Sequence, residues 1–127
     1  ESVKDRCTKS HEYIFMLTKN GKYFYNADAI RETNETGTGH NKRSVWQIAT
    51  RGFLDAHFAT FPVGLATPCV LAASSELDTV LDPFAGSGTT GVVAKQKNRQ
   101  AILIDANVEY CAMMKTRIME TQPALFS

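Results

Sequence analysis

The sequence predicts an α/β fold, part of a doubly wound parallel sheet with a small β-hairpin-containing front segment. Three observations predict it. A short apolar run, Thr79-Val80-Leu81, leads into three glycines spaced G-x-G-x-x-G in "TVLDPFAGSGTTG" (79–91). A second apolar run, Ala101-Ile102-Leu103-Ile104, follows after one short helix's length. Beyond it, Tyr110, Met113, Met114 and Ile118 fall on one helical face. Strand, helix, strand, helix in that order calls for a right-handed crossover and a parallel pair.

Each element has its own signal. Tyr13-Ile14-Phe15-Met16-Leu17 reads as a short strand, Asn20-Gly21 as a tight turn, and Tyr23-Phe24-Tyr25 as the start of a returning strand. "ETNETGTGHNKR" (32–43) holds no apolar residue and reads as a mobile loop. "SVWQIAT" (44–50) alternates and reads as a further strand. "PVGLATPCVLAASS" (62–75) carries Leu65, Cys69 and Ala72 at helical spacing, with Pro62 suited to a first turn. Pro68 is expected to kink or divide that helix. Thr79–Leu81 is a strand, Thr89–Lys97 a helix and Ala101–Ile104 a buried strand. Asn107 is placed to cap the last helix.

The bulk properties narrow the class. A chain of 127 residues is one domain's worth, and 43% hydrophobic with 21% charged residues is ordinary for a globular protein. No apolar run reaches the roughly 18–20 residues that span a bilayer, so no membrane partner is expected. Cys7, Cys69 and Cys111 are odd in number and widely spaced, which reads as structural thiols in a reduced, cytoplasmic protein. No metal is expected. The net charge of +1 divides into about +3 over residues 1–51 and about −2 over 52–127. A basic, aromatic-rich front is compatible with a polyanionic partner and equally with a solvated polar face. The chain begins on Glu1 rather than Met, and a piece of something longer is expected.

The glycine loop is the informative motif. At the end of a parallel strand the chain turns sharply into a helix, and Gly86 and Gly88 leave the backbone bare for a ligand. A phosphate-gripping P-loop needs a lysine after its second glycine, and none occurs between Arg51 and Lys95. A nicotinamide or flavin site fits the spacing, with Asp105 available to ribose hydroxyls. Asp82 at the strand tip argues against it, because a carboxylate there repels a pyrophosphate on the helix N-terminus. S-adenosylmethionine, which carries an ammonium and a sulfonium, is attracted by the same acid. Phe84 supplies an apolar wall beside the loop. Charge favours this cofactor over a dinucleotide, and a loop that binds nothing stays open.

"DPFAGSGTTG" (82–91) closely resembles the cofactor motif of DNA amino-methyltransferases, which methylate adenine N6 or cytosine N4. "AILIDANVEY" (101–110) resembles that family's next motif, with Asp105 where Glu is commoner. "HFATFP" (57–62) resembles the segment that wraps the methionine end of the cofactor, and "TKSHEYIFMLTK" (8–19) a strand near the target-base pocket. The resemblance covers nearly the whole chain, most loosely at 26–44. It implies a Rossmann-like S-adenosyl-L-methionine-dependent fold. It also implies that Asp82, Phe84, Gly86, Ser87, Gly88, Thr89 and Thr90 line the methionine and sulfonium side, that Asp105 holds the ribose, and that Ala106 and Asn107 lie beside the adenine. His57, Thr60 and Phe61 are second-tier candidates, with His57 equally readable as a satisfied buried histidine. Tyr13 and Phe15 read as core or base contacts, and Trp46 as core or ligand wall.

One family motif is absent. Amine methylation requires Asp/Asn/Ser-Pro-Pro-Tyr/Phe, which orients the target amine and stacks on the flipped-out base. The prolines here are 62, 68, 83 and 123, none adjacent. In the permuted beta group of the family, the catalytic motif comes first, then target recognition, then the cofactor motif. The resemblance therefore implies a carboxyl-terminal portion, with residues 1–51 as a target-recognition segment, residues 52–127 as the cofactor segment and no catalytic residue in this chain. Double-stranded DNA is the implied partner. Half a sheet leaves an edge and apolar faces uncovered, so a homodimer or strand-exchanged assembly is expected. A catalytically silent S-adenosylmethionine- or DNA-binding remnant, or a nicotinamide-dependent oxidoreductase fragment, are the competing readings.

Overall fold

The computed structural model describes residues 3–34, 37–49 and 60–123. A 3-10 turn at Asp28–Ile30 precedes a two-stranded antiparallel ribbon, β1 (Glu32–Thr33) and β2 (Gly39–His40). Helix α1 (Val63–Ala73), β3 (Thr79–Asp82), α2 (Thr89–Gln96), β4 (Gln100–Leu103) and α3 (Val108–Glu120) follow. β3 and β4 form a parallel pair joined through α2, with Val80 beside Ala101 and Asp82 beside Leu103. The α/β crossover read from the sequence is therefore present, within two residues at each boundary.

The core lies on one face of that pair. Val93 of α2 is fully buried and packs with Ala66 and Val70 of α1, and Val63 and Val80 close around them. Neighbouring positions on parallel strands point to the same face, so Val80, Asp82, Ala101 and Leu103 look toward α2. Leu81 and Ile102 look the other way, at 59% and 54% exposure. The sequence reads Ala101–Ile104 as a buried strand, and here the structure corrects it. A parallel strand is buried only where helices cover both faces, and the described helices pack on one side.

Helix α1 is continuous through Pro68, which neither kinks it into two elements nor ends it. Side chains flanking the proline bond the carbonyls of the preceding turn, Thr67 Oγ1 to Val63 O at 2.8 Å and Cys69 Sγ to Leu65 O at 3.3 Å. Pro62 sits at the N-cap. At the other end, Arg99 donates to Ser74 O at 2.8 Å, setting a cation against the carbonyl end of α1 while leading into β4. Asn107 caps α3 as its position in the sequence implies, accepting from the Glu109 N–H at 2.8 Å.

The front departs most from expectation. Tyr13–Leu17 and Tyr23–Tyr25 form no strands; the chain bends at 19–22 around Asn20-Gly21, and these side chains are exposed. A two-stranded hairpin with little packed on its face is marginal at best; Ile14 borders the cavity beside α1 yet stays 53% exposed. The strand read at 44–50 is likewise absent over 44–49. The hairpin that does form lies inside the segment read as an apolar-free loop. Glu32 is its tie: it accepts from Lys42 at 3.1 Å and from Arg43 at 3.1 Å, which holds its carboxyl below the usual value. Lys42 also lies 4.8 Å above the Trp46 ring, and Trp46 donates to Arg43 O, so Trp46 belongs to this cluster rather than to the core. All three cysteines are free; Cys7 and Cys111 are exposed rather than packed, and burial raises the Cys69 thiol.

Candidate functional site

The loop between β3 and α2 gathers the predicted residues at the carboxyl edge of the parallel pair. Asp82, the last residue of β3, accepts from the Phe84 N–H at 3.0 Å through one oxygen and from the Thr90 hydroxyl at 2.6 Å through the other. It thus links the loop's entry to the first turn of α2. Asp105, just past β4, accepts from the Gly86 N–H at 2.8 Å and from the Asn107 N–H at 2.8 Å. Both acids therefore organise the backbone before any ligand is considered. Each carboxylate oxygen has a second acceptor direction, so neither is exhausted.

The three glycines divide into two kinds. Gly86 has φ +50°, and a methyl group built on it would meet nothing within 4 Å. Its face is open. Gly88 has φ +79°, and a methyl group there would lie 2.6 Å from Met114 Cβ of α3. A methyl group on Gly91 would lie 2.5 Å from both Ile118 Cδ1 and Leu103 Cδ1. Gly88 and Gly91 let α3 and β4 close on α2, and of the three only Gly86 has open space where a side chain would stand. The spacing alone did not separate these duties.

Around the loop, Phe84 stands 86% exposed. Ser87, Thr89 and Thr90 are buried. Ala106 and Asn107 are exposed beside Asp105. Phe61 borders an apolar cavity of about 420 Å³ between α1 and β3, whose lining includes Leu65, Cys69, Val80 and Thr90. Thr90 thereby joins that cavity to the loop. Thr60 is half-buried next to Phe61. His57 lies outside the described residues. Tyr13 and Phe15 are exposed, stacked loosely on each other with ring centres 6.1 Å apart, and are not core.

Sequence reasoning missed Arg117. From the last turn of α3, its Nη1 donates to Ser87 O at 3.1 Å, Ser87 Oγ at 2.9 Å and Thr89 Oγ1 at 3.1 Å. Its place between the apolar positions Met114 and Ile118 was the available signal. A cation beside the buried face of an amphipathic helix calls for acceptors there. No group of residues suited to a metal occurs among the described residues, and none of their helices is long and apolar enough to cross a membrane.

The chain is similar in sequence and fold to known proteins. The solved structure of a complex of M1.HpyAVI with SAM superimposes with a TM-score of 0.51 at 29% identity, covering 61% of this chain and 42% of that one. The type II methyltransferase M.Cfr9I of Citrobacter freundii is 52% identical over 118 residues, 93% of this chain and 39% of its own length. M.SmaI of Serratia marcescens is 47% identical over 121 residues, 94% of this chain and 41% of its own length. The chain thus spans about two-fifths of the curated relatives it matches. An N6/N4 methyltransferase family model, described as DNA methylase, matches residues 1–116. The chain belongs to the DNA amino-methyltransferase family.

Proposed function

We propose that this chain is the cofactor-binding portion of a site-specific DNA methyltransferase that moves a methyl group from S-adenosyl-L-methionine to an exocyclic amine, adenine N6 or cytosine N4. One observation carries the reading. Asp82 and Asp105 converge on a single loop from the tips of two parallel strands, and among that loop's glycines only Gly86 has open space at its face.

The residues present fit a donor of this kind. The face of Gly86 has room for it, and exposed Phe84 offers an apolar surface alongside. S-adenosylmethionine supplies a methyl group on a positively charged sulfur. Asp82 sets negative charge where the donor's ammonium and sulfonium lie, and Asp105 offers acceptor capacity to ribose hydroxyls. Ala106 and Asn107 flank the adenine, while Thr89 and Thr90 hold the loop's exit rigid. His57, Thr60 and Phe61 approach the methionine end, Phe61 by way of the cavity shared with Thr90. The chain's contribution to catalysis is position and fixed charge.

Residues 52–127 serve as the cofactor segment and residues 1–51 as the target-reading segment, in contact with double-stranded DNA. The excess of cations in the front and the exposed rings of Tyr13, Phe15 and Tyr23 support that division. Leu81 and Ile102 on the open sheet face support self-association into a homodimer or strand-exchanged pair. The free thiols suit a reducing, cytoplasmic setting.

Titration calorimetry with S-adenosylmethionine and with NAD tests the reading. Binding of the first without the second is expected. Binding of NAD alone, or of neither, overturns it.

A further inference from the structure

The loop is held from three directions, and only two of them are acids. Asp82 grips it from β3 and Asp105 from β4. The third hold comes from underneath, through Arg117 of α3, whose Nη1 lies within 3.1 Å of the Ser87 carbonyl, the Ser87 hydroxyl and the Thr89 hydroxyl. Ser87 stands between Gly86 and Gly88, so a grip on its carbonyl sets the orientation of the peptide between two residues at positive φ. The Gly88 N–H on the far side of that peptide is closed onto Ala85 O at 2.7 Å. Of the loop's three glycines only Gly86 has an open face, and the Ser87 carbonyl bond holds the peptide that follows it.

Helix electrostatics pull two ways here, because the last turn of α3 favours a cation and the first turn of α2 does not. Arg117 brings a cation to the N-terminal end of α2, where the macrodipole is already positive. Its guanidinium is partly withdrawn from water, which lowers its proton affinity. In return α2 and α3 are locked reciprocally. Lys95 of α2 donates to Ile118 O at 2.7 Å at the carbonyl end of α3, one residue beyond Arg117. Asp105, the Asn107 cap and Arg117 all belong to the β4–α3 unit, so that unit holds the loop at two separate points.

We propose that Arg117 is a positioning residue for the methyl donor: by fixing the Ser87 carbonyl and hydroxyl from below, it presents the open face of Gly86 without touching the donor itself. The proposal rests on the reading of the loop as a donor site.

The test uses the full chain with Arg117→Met and Arg117→Lys. Two readouts are taken, calorimetric affinity for S-adenosylmethionine and amide hydrogen exchange of the ligand-free protein. Arg117→Met is expected to weaken the donor by about tenfold to a hundredfold, the range for losing a charged hydrogen-bond donor. Arg117→Lys, which retains a cationic donor, is expected to recover most of that loss. In the free protein Arg117→Met is expected to speed exchange at residues 86–90 while Val93 and its neighbours stay protected. Unchanged affinity, or unchanged exchange at 86–90, overturns the proposal. So does a uniform rise in exchange across α1, α2 and β4, which is the mark of a merely structural arginine. If the unmodified chain binds no donor, the site reading fails first. The role of Arg117 toward the donor then falls with it, and the exchange result alone shows whether Arg117 holds the loop.

Discussion

Asp105 and Gly86 are nineteen residues apart in the chain and 2.8 Å apart in space, the carboxylate of one accepting the backbone N–H of the other. That bond pins the bare turn after β3 to the tip of β4. It makes Asp105 a scaffold for the glycine loop as well as a candidate ribose ligand. Asp105→Ala is accordingly expected to cost about 1–2 kcal/mol of stability in denaturant unfolding, as a bond to a charged acceptor is lost. It is also expected to remove measurable donor binding in calorimetry. Asp105→Glu keeps the charge and is expected to retain binding.

The glycines predict opposite phenotypes. Gly86→Ala introduces a methyl group into open space at φ +50° and is expected to cost about 1 kcal/mol, with donor affinity falling sharply. Gly88→Ala drives its methyl group into Met114 at φ +79° and is expected to cost about 2–3 kcal/mol. Thermal unfolding beside calorimetry separates the two. Equal destabilisation by both substitutions would contradict the division of duties among the glycines.

Val93 is the one fully buried large side chain among the described residues, at the junction of α1, α2 and β3. Val93→Ala is expected to destabilise the chain by about 1–3 kcal/mol through lost burial and residual cavity. Denaturant midpoints measure it. A change under half a kcal/mol, a surface-like effect, would place the core elsewhere.

The ribbon of β1 and β2 is pH-sensitive through Glu32. Lys42 and Arg43 hold its carboxyl below the ordinary 4.5. A depressed carboxylate contributes order above its unfolded value and loses it as pH falls through the folded value. The ribbon is therefore expected to loosen in acid below 4.5, with added salt weakening it at pH values where Glu32 is ionised. Amide chemical shifts of Thr33 and Gly39 across an acid titration follow this, and Glu32→Gln should flatten the response.

Self-association has a matching test. Leu81→Lys with Ile102→Lys puts charge on the open face of β3 and β4 and is expected to shift sedimentation toward the monomer. A monomeric parent chain at high concentration would remove the case for a homodimer.

The strand–loop–helix–strand–helix unit was legible in sequence because its causes are local. Apolar runs of strand length, a glycine turn, the Asn107 cap and the spacing of Met114 and Ile118 each act within a few residues of where they are written. Pro68 misled because α1 runs on through it, with Thr67 and Cys69 on either side donating to carbonyls of the preceding turn. The front misled because strands need partners: Tyr13–Leu17 has every strand preference but stays largely exposed, while the polar 32–43 segment forms a ribbon through the charges of Glu32, Lys42 and Arg43.

By itself the sequence determined the family, the order of the parallel unit and the two acids at its carboxyl edge. Tertiary structure alone decided which glycine faces outward, that both acids bind the loop's own N–H and hydroxyl groups, that one sheet face is bare, and that Arg117 reaches Ser87. The reason is physical. Propensity and motif act over a few residues, whereas a hydrogen bond across nineteen or thirty of them exists only once the helices have packed.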